Sequence, residues 1–347
     1  MSPADSPDIS DLLGLAASLG RDPLVIQGPG GNISYKQDGV MWVKASGTWM
    51  MNAMSQPIMI PVDLAAVRAA LEAGDPRCET CSDFVRNDLF PPPLRPSIET
   101  TLHAVMAQRV VLHVHCVETI AQACLLDAPR RLATALAGLN WVFVPYVRPG
   151  LSLAWQMAGL LDRDTDVVVL GNHGLVVAGD SAAEAARLRA EVSRRLARPS
   201  PPFAASNVER MSLRRYEGAG YRVAEDDAMH ATAAAPNLAV ARRGSLYPDH
   251  VVFLGPGIVE TEGAETAADA ARRAGRPAAP LVVVPGLGVL MHDDASASAH
   301  AMARCLADVT SRLSGHDKID PLTAEDEADL LDWDAEKYRQ SLDRRPP

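Results

Sequence analysis

Four side chains in this sequence have the types and spacing to assemble a metal centre. His113 and His115 stand two apart in the apolar run VVLHVHCVET, residues 110–119. In a β-strand, residues i and i+2 leave the same face, so both imidazoles can reach one point. Alone, the pair fits equally well two imidazoles that donate to backbone carbonyls. His173 adds weight because it sits in GNHGL between Gly171 and Gly174, and glycines there allow close backbone approach. Three imidazoles with one open position form the ligand set of a catalytic zinc site. Glu99 lies fourteen residues before His113, at the predicted start of a helix. Its plainer role is to complement the helix dipole. His103, one turn further, shares a face with Glu99 and reads as a supporting residue.

A second constellation could hold an anion. GPGGNISYK (28–36) packs glycines into a turn ahead of Asn32, and exposed backbone N–H groups in such a turn make an anion nest. KASGT (44–48) brings Ser46, Gly47 and Thr48 beside Lys44, and Ser97 precedes Glu99. No G-K-[ST] follows the first loop and it lacks GxGxxG, so neither nucleotide fingerprint applies. Each residue alone is an ordinary turn or cap. Together, Gly31, Asn32, Ser46, Gly47 and Ser97 could set several donors around one anion.

The elements that must position these residues follow from periodicity and punctuation. Residues 10–22 predict a helix with Ser10 as N-cap, and 33–44 a β-hairpin around QDG. Residues 62–74 predict a helix, LFPPPLRPS (89–97) an extended loop, and 98–108 another helix. A strand over 110–117 and a strand–turn–strand over 166–179 come next, with Ser181 and Glu184 at capping-box spacing before a further helix. This alternation predicts an α/β domain over 1–198, closed by the Pro-rich RPSPPF (198–203). Residues 204–347 read as a smaller α/β subdomain, with a strand over 247–257. Within it, 281–313 parallels 166–196 in a strand–turn–strand–helix pattern, without the histidine. That echo is either a degenerate repeat or a commonplace pattern.

Bulk properties exclude some classes. Lys and Arg total 33 against 43 Asp and Glu, a net charge of −10, and no basic cluster interleaves with aromatics. This argues against nucleic-acid binding. The start MSPADSPDIS lacks the basic-then-apolar order of a secretory signal. No apolar run reaches the roughly 18–20 residues of a membrane span. Five cysteines at no framework spacing suggest a reducing cytoplasm. Cys78 and Cys81 form CxxC, but a zinc ribbon needs a second pair.

GGNIS, WVKASGT, PSIETTLH, HVH and NHGL, in that order, resemble the class II aldolase/adducin family. The likeness is strongest to the aldolase portion of bifunctional rhamnulose-1-phosphate aldolase/alcohol dehydrogenases, and it continues through VPYVRPG and LLDWDAEKYRQSL. The resemblance implies an α/β/α layered fold and a cytoplasmic homo-oligomer, a tetramer in the family. It implies Zn²⁺, or another divalent metal, on His113, His115 and His173, with Glu99 as catalytic carboxylate. Gly31, Asn32, Ser46, Gly47 and Ser97 would hold the phosphate. The implied activity is reversible retro-aldol cleavage of a ketose, a sugar phosphate by analogy, through a metal-stabilised enediolate. No nicotinamide cofactor is implied. Related 4-epimerase or decarboxylase chemistry would use the same ligands, and an adducin-like interaction module would not need them. The sequence departs from the family where Ile98 follows Ser97 and where Leu112 precedes the HxH pair. Tyr216, Tyr221 and Tyr338 are the candidates for a family proton donor.

Overall fold

Short β-prone runs separated by turn residues become a seven-stranded sheet in the first part of the chain. The structure, a computed structural model, describes residues 7–89, 94–200 and 207–343. The prolines at 91–93 and the 201–203 end of the linker-like stretch lie outside the described residues. The chain divides into two compact units, Met1–Thr119 with Pro129–Leu196, and Ile120–Ala128 with Ala197–Pro347. The 120–128 excursion into the second unit has no signature in local periodicity.

The strands of the first unit are β1 (Asn32–Gln37), β2 (Val40–Lys44), β3 (Met59–Asp63), β4 (Val110–Val114), β5 (Trp141–Val144), β6 (Val167–Leu170) and β7 (Gly174–Gly179). Their order in the sheet is β3-β2-β1-β4-β7-β6-β5. Every pairing is antiparallel except β5 with β6. The expected hairpin forms, with Asp38 and Gly39 both at positive φ in its two-residue turn, the geometry that matches strand twist. Strands β4, β6 and β7 are buried along their whole length. Such continuous apolar runs belong to strands covered on both faces.

The α-helices of residues 7–196 interleave with these strands along the chain. They are α1 (Pro7–Leu19), α2 (Leu64–Glu72), α3 (Thr100–Val105), α4 (Val117–Ala123), α5 (Ala128–Ala135), α6 (Leu151–Leu160) and α7 (Ala182–Leu196). Helices α2, α3 and α6 pack together on one face, while α1 and α7 pack on each other and on the strands. One core cluster joins Leu102 and Met106 around α3 to Leu153 and Met157 of α6 and to Val111, Val176 and Ala178 of the sheet. The face of β4 that carries Val111 therefore looks toward α3. The layered α/β expectation holds. Helix α1 starts earlier than predicted, so Ser10 lies inside it, not at its cap. Ser181 Oγ does accept from the Glu184 N–H at 3.2 Å, while Glu184 reaches back to the Asp180 N–H.

The second unit holds α8 (Asn207–Leu213), α9 (Ala235–Ala241), α10 (Pro248–Leu254), α11 (Ala267–Arg273), α12 (Ala297–Thr310), α13 (Ala324–Asp332) and α14 (Asp334–Asp343). Its sheet runs β8 (Tyr221–Val223), β11 (Gly288–His292), β10 (Leu281–Val284) and β9 (Val259–Glu260). These four strands repeat the order and directions of β4-β7-β6-β5, with one parallel pair at the end. The strand expected over 247–257 is instead helix α10. All seven of its residues are buried, and a helix buried all round shows no stripe to betray its period. Pro248 at its first turn, Asp249 beside it and Gly255 at its end are the helix signals that the VVF run obscured. Among the described residues, no helix is long and apolar enough to cross a membrane.

Candidate metal and carboxylate site

Strand register brings the histidines together. Residues 111, 113 and 115 share the face of β4 that looks toward α3, and His115 lies one residue past the strand end. His173 sits in the turn between β6 and β7, whose pairing closes with Leu170 opposite Gly174. Because β7 also pairs with β4, with Val114 opposite Leu175, this turn lies beside the end of β4. Gly174 makes the approach possible, since a Cβ there would stand 2.5 Å from the Val114 carbonyl oxygen. Among the described residues, His113, His115 and His173 are the group brought close enough to share an ion, their ligand atoms within 4.8 Å of one another.

The spacing suits a metal better than a hydrogen-bonded trio. His113 Nε2 lies 3.1 Å from His115 Nε2 and 3.3 Å from His173 Nε2. Two nitrogens each about 2.0–2.1 Å from a tetrahedral ion stand roughly 3.3–3.4 Å apart. His113 Nδ1 donates to the Leu175 carbonyl at 3.1 Å. That contact puts the proton on Nδ1 and turns the Nε2 lone pair inward, as a metal-ligating imidazole requires. Leu175 is a supporting group that sequence reading misses, since a carbonyl's partner depends only on register.

Glu99 completes the cluster. It occupies the N-cap position of α3, but its side chain makes no cap hydrogen bond. Dipole complementation thus does not explain where the carboxylate points. Its Oε1 lies 3.4 Å from both His113 Nε2 and His173 Nε2, again a ligand-to-ligand distance. Oε1 is buried without a hydrogen-bond partner, whereas Oε2 accepts from Asn32 Nδ2 at 2.8 Å. Burial alone would raise the Glu99 pKa. When protonated, the facing imidazoles of His113, His173 and His115, with the Asn32 donor, outweigh it and hold the group down to about 2. A buried carboxylate oxygen with no donor, beside three imidazole nitrogens, is a set that fits a divalent cation. His103 stands apart from the set. Its Nδ1 contacts Ser34 Oγ at 2.8 Å, and burial pushes its pKa down to about 3.

The anion-loop residues are also gathered, in part. Asn32 Nδ2 donates to Ser97 Oγ at 2.8 Å, and Ser97 Oγ accepts from the Glu99 N–H at 3.1 Å. A bridge between Ala45 and Pro96 sets the Ser46–Gly47 turn beside Ser97. Ser46 Oγ is buried with no partner. Gly31, at φ +67, has no room for a side chain, since a Cβ would lie 2.8 Å from the His113 carbonyl oxygen. Lys44 does a different job from the one its neighbourhood suggests. Its ammonium donates to the Pro29 carbonyl at 3.0 Å and so holds the Gly-rich loop.

Other candidates lie elsewhere. Cys78 and Cys81 pack in the apolar cluster with Met41, Val62 and Leu71. Both are free thiols, and burial raises the Cys81 pKa. Tyr216, Tyr221 and Tyr338 all belong to the second unit. The Tyr221 hydroxyl donates to the Ala279 carbonyl at 2.9 Å, a structural contact in that unit's core. The second unit's equivalent hairpin turn carries Leu287 where the first carries His173.

A family model described as the class II aldolase and adducin N-terminal domain matches residues 11–198. The chain is 30% identical over 185 residues to a protein named uncharacterized oxidoreductase YuxG of Bacillus subtilis (strain 168). That alignment covers 50% of this chain and 27% of YuxG, so the chain spans about a quarter of that relative's length. Among solved structures, the N-terminal class II aldolase domain of a conserved protein from Thermoplasma acidophilum is 25% identical. It has a TM-score of 0.49, over 55% of this chain and 92% of that one. An L-fuculose 1-phosphate aldolase is 19% identical, with a TM-score of 0.41 over 56% and 86%. The family match takes in more than half of the chain and every candidate ligand, and the chain belongs to the class II aldolase and adducin family.

Proposed function

We propose that this chain is a metal-dependent aldehyde-lyase that reversibly cleaves a ketose, a sugar phosphate in the first instance, by a retro-aldol reaction. The observation that carries the reading is the convergence of three imidazole nitrogens with a buried, donor-less Glu99 oxygen. His113, His115 and His173 would hold Zn²⁺ or another divalent ion. Bound there, the ion would act as a Lewis acid toward the substrate carbonyl and stabilise enolate charge.

The chain's own groups do the rest. In cleavage, the bond between the carbinol carbon and the carbon beside the carbonyl breaks. The carbinol hydroxyl gives up its proton, and the carbon left behind takes one. Glu99 would take up the proton that the carbinol hydroxyl gives up and deliver it from Oε1 to that carbon, and in the synthetic direction would remove it. Gly31, Asn32, Ser46, Gly47 and Ser97 would supply the turns and polar groups that fix the anionic end, which restrains the reacting carbon.

The test is a screen of metal-loaded protein against phosphorylated and unphosphorylated ketoses, with released aldehyde as the readout. Aldehyde release is expected, with close to one metal ion per chain. His115→Ala and His173→Ala should lose both. Isomerised sugar without aldehyde would replace the reading with epimerisation, and CO₂ release with decarboxylation. A metal-free, chelator-insensitive wild type would point to an adducin-like module.

A further inference from the structure

We propose that Ser34 and His103 are positioning residues for Glu99, the contact between them setting the rotation of α3 and so the direction of the carboxylate it carries. The proposal rests on the role given to Glu99 above. Helix α3 is only six residues long, too short to hold its shape or place without outside contacts. Two cations fix its far end. Lys36 Nζ donates to the Met106 and Gln108 carbonyls at 2.5 and 3.0 Å, and Arg68 Nε donates to the Ala104 carbonyl at 2.8 Å. These bonds satisfy carbonyls that a helix C-terminus leaves open. An end clamp sets where the helix stops along its axis. Its turn about that axis has to be set from the flank.

Strand β1 supplies that flank contact. His103 Nδ1 lies 2.8 Å from Ser34 Oγ, and both residues are fully buried. His103 stands one turn after Glu99, on the same helix face, and its backbone N–H donates to the Glu99 carbonyl at 3.2 Å. Holding His103 therefore holds the turn from which the carboxylate projects. Ser34 in turn pairs with Val111 of β4, two residues before His113. The proton-carrying group and a candidate ligand are thus referred to one pair of strands. Packing alone does not explain the histidine. Its Nε2 is buried with no partner among the described residues, a penalty that an apolar side chain at this position would avoid. What the imidazole provides in exchange is the directed contact with Ser34.

Ser34→Ala, His103→Leu, the double variant and His103→Asn, each made in the full chain, test the assignment. Ser34→Ala removes a single oxygen, so it remains informative should a His103 variant fail to fold. His103→Asn returns a polar atom near the place of Nδ1. Metal content should stay near the wild-type level in all four, since no candidate ligand is altered. Crystal structures are the first readout. The Glu99 carboxylate of Ser34→Ala should move by about 0.5 Å or more, and a carboxylate that stays within that distance overturns the proposal. On the ketose that the screen identifies, Ser34→Ala should lower kcat about tenfold, with KM within about twofold of wild type. The double variant should be no slower than the slower single variant, because one contact is lost only once. His103→Asn should recover most of the rate that His103→Leu loses. Losses that multiply in the double variant, or rates that fall only in step with metal content, would make the two residues separate structural supports and overturn the proposal. A wild type that cleaves no ketose removes the aldolase reading, while the crystal structures still decide whether the pair positions Glu99.

Discussion

At the scale of single residues, the site separates two duties that one carboxylate could have carried. Three imidazoles would supply ligands, and Glu99 would supply a carboxylate oxygen, Oε1, while its Oε2 accepts from Asn32. Glu99→Gln removes the proton-carrying oxygen yet leaves all three histidines. Aldehyde release should then fall about 100-fold or more, while metal content per chain stays near the wild-type level. Retention of more than about a tenth of the rate would mean that another group moves the proton. The residue types behind this division were legible in the sequence as candidates, because a His between glycines has few plain explanations and adds weight to an HxH pair that alone fits structural imidazoles equally well. Their partners were not. The Leu175 carbonyl on His113, the Asn32 amide on Glu99 and the Lys44 ammonium on Pro29 depend on which strands lie side by side, which no local pattern states.

At the scale of elements, the site depends on one pairing, β4 against β7, that joins segments some sixty residues apart. Local signals announced both strands and the β1–β2 hairpin. They missed the β1–β4 neighbourhood, and they misread α10, whose buried VVF run hid a helix that its Pro248 and Gly255 ends marked. The β4–β7 contact is tightest at Gly174, where an added Cβ would press on the Val114 carbonyl oxygen at 2.5 Å and on His113 Cε1 at 3.4 Å. Backbone cannot yield as a flexible side chain would. Gly174→Ala should therefore cost about 1–3 kcal/mol, seen as a melting temperature lower by roughly 2–10 °C. Because the same shift moves His173 away from His113, metal affinity should fall along with stability. A variant that lost stability alone, with metal binding intact, would show that the turn is not what sets the histidine spacing.

At the scale of the whole molecule, both units bury a histidine in its neutral form, and this sets how the protein responds to acid. His103 in the first unit is pushed down to about 3 by burial, with nearby His113 adding to the effect. In the second unit, burial lowers His250 to about 4 despite its contact with the Gly257 carbonyl at 2.9 Å, and Arg276 lowers it further. An unfolded histidine titrates near 6.5. Between about pH 6.5 and 4, then, the unfolded chain binds a proton at each position that the folded chain refuses. Stability is fully present above that range and drains away as pH falls, levelling off once the folded group also protonates. For His250 alone, the loss between pH 7 and 4.5 should be roughly 2 kcal/mol. A chain of two units need not unfold in one step, so a local probe is required, such as hydrogen exchange of the α10 amides in urea. His250→Gln removes the titration, and its α10 protection should change far less over the same pH range than that of wild type. Equal pH slopes in the two proteins would show that His250 does not govern the acid sensitivity of the second unit.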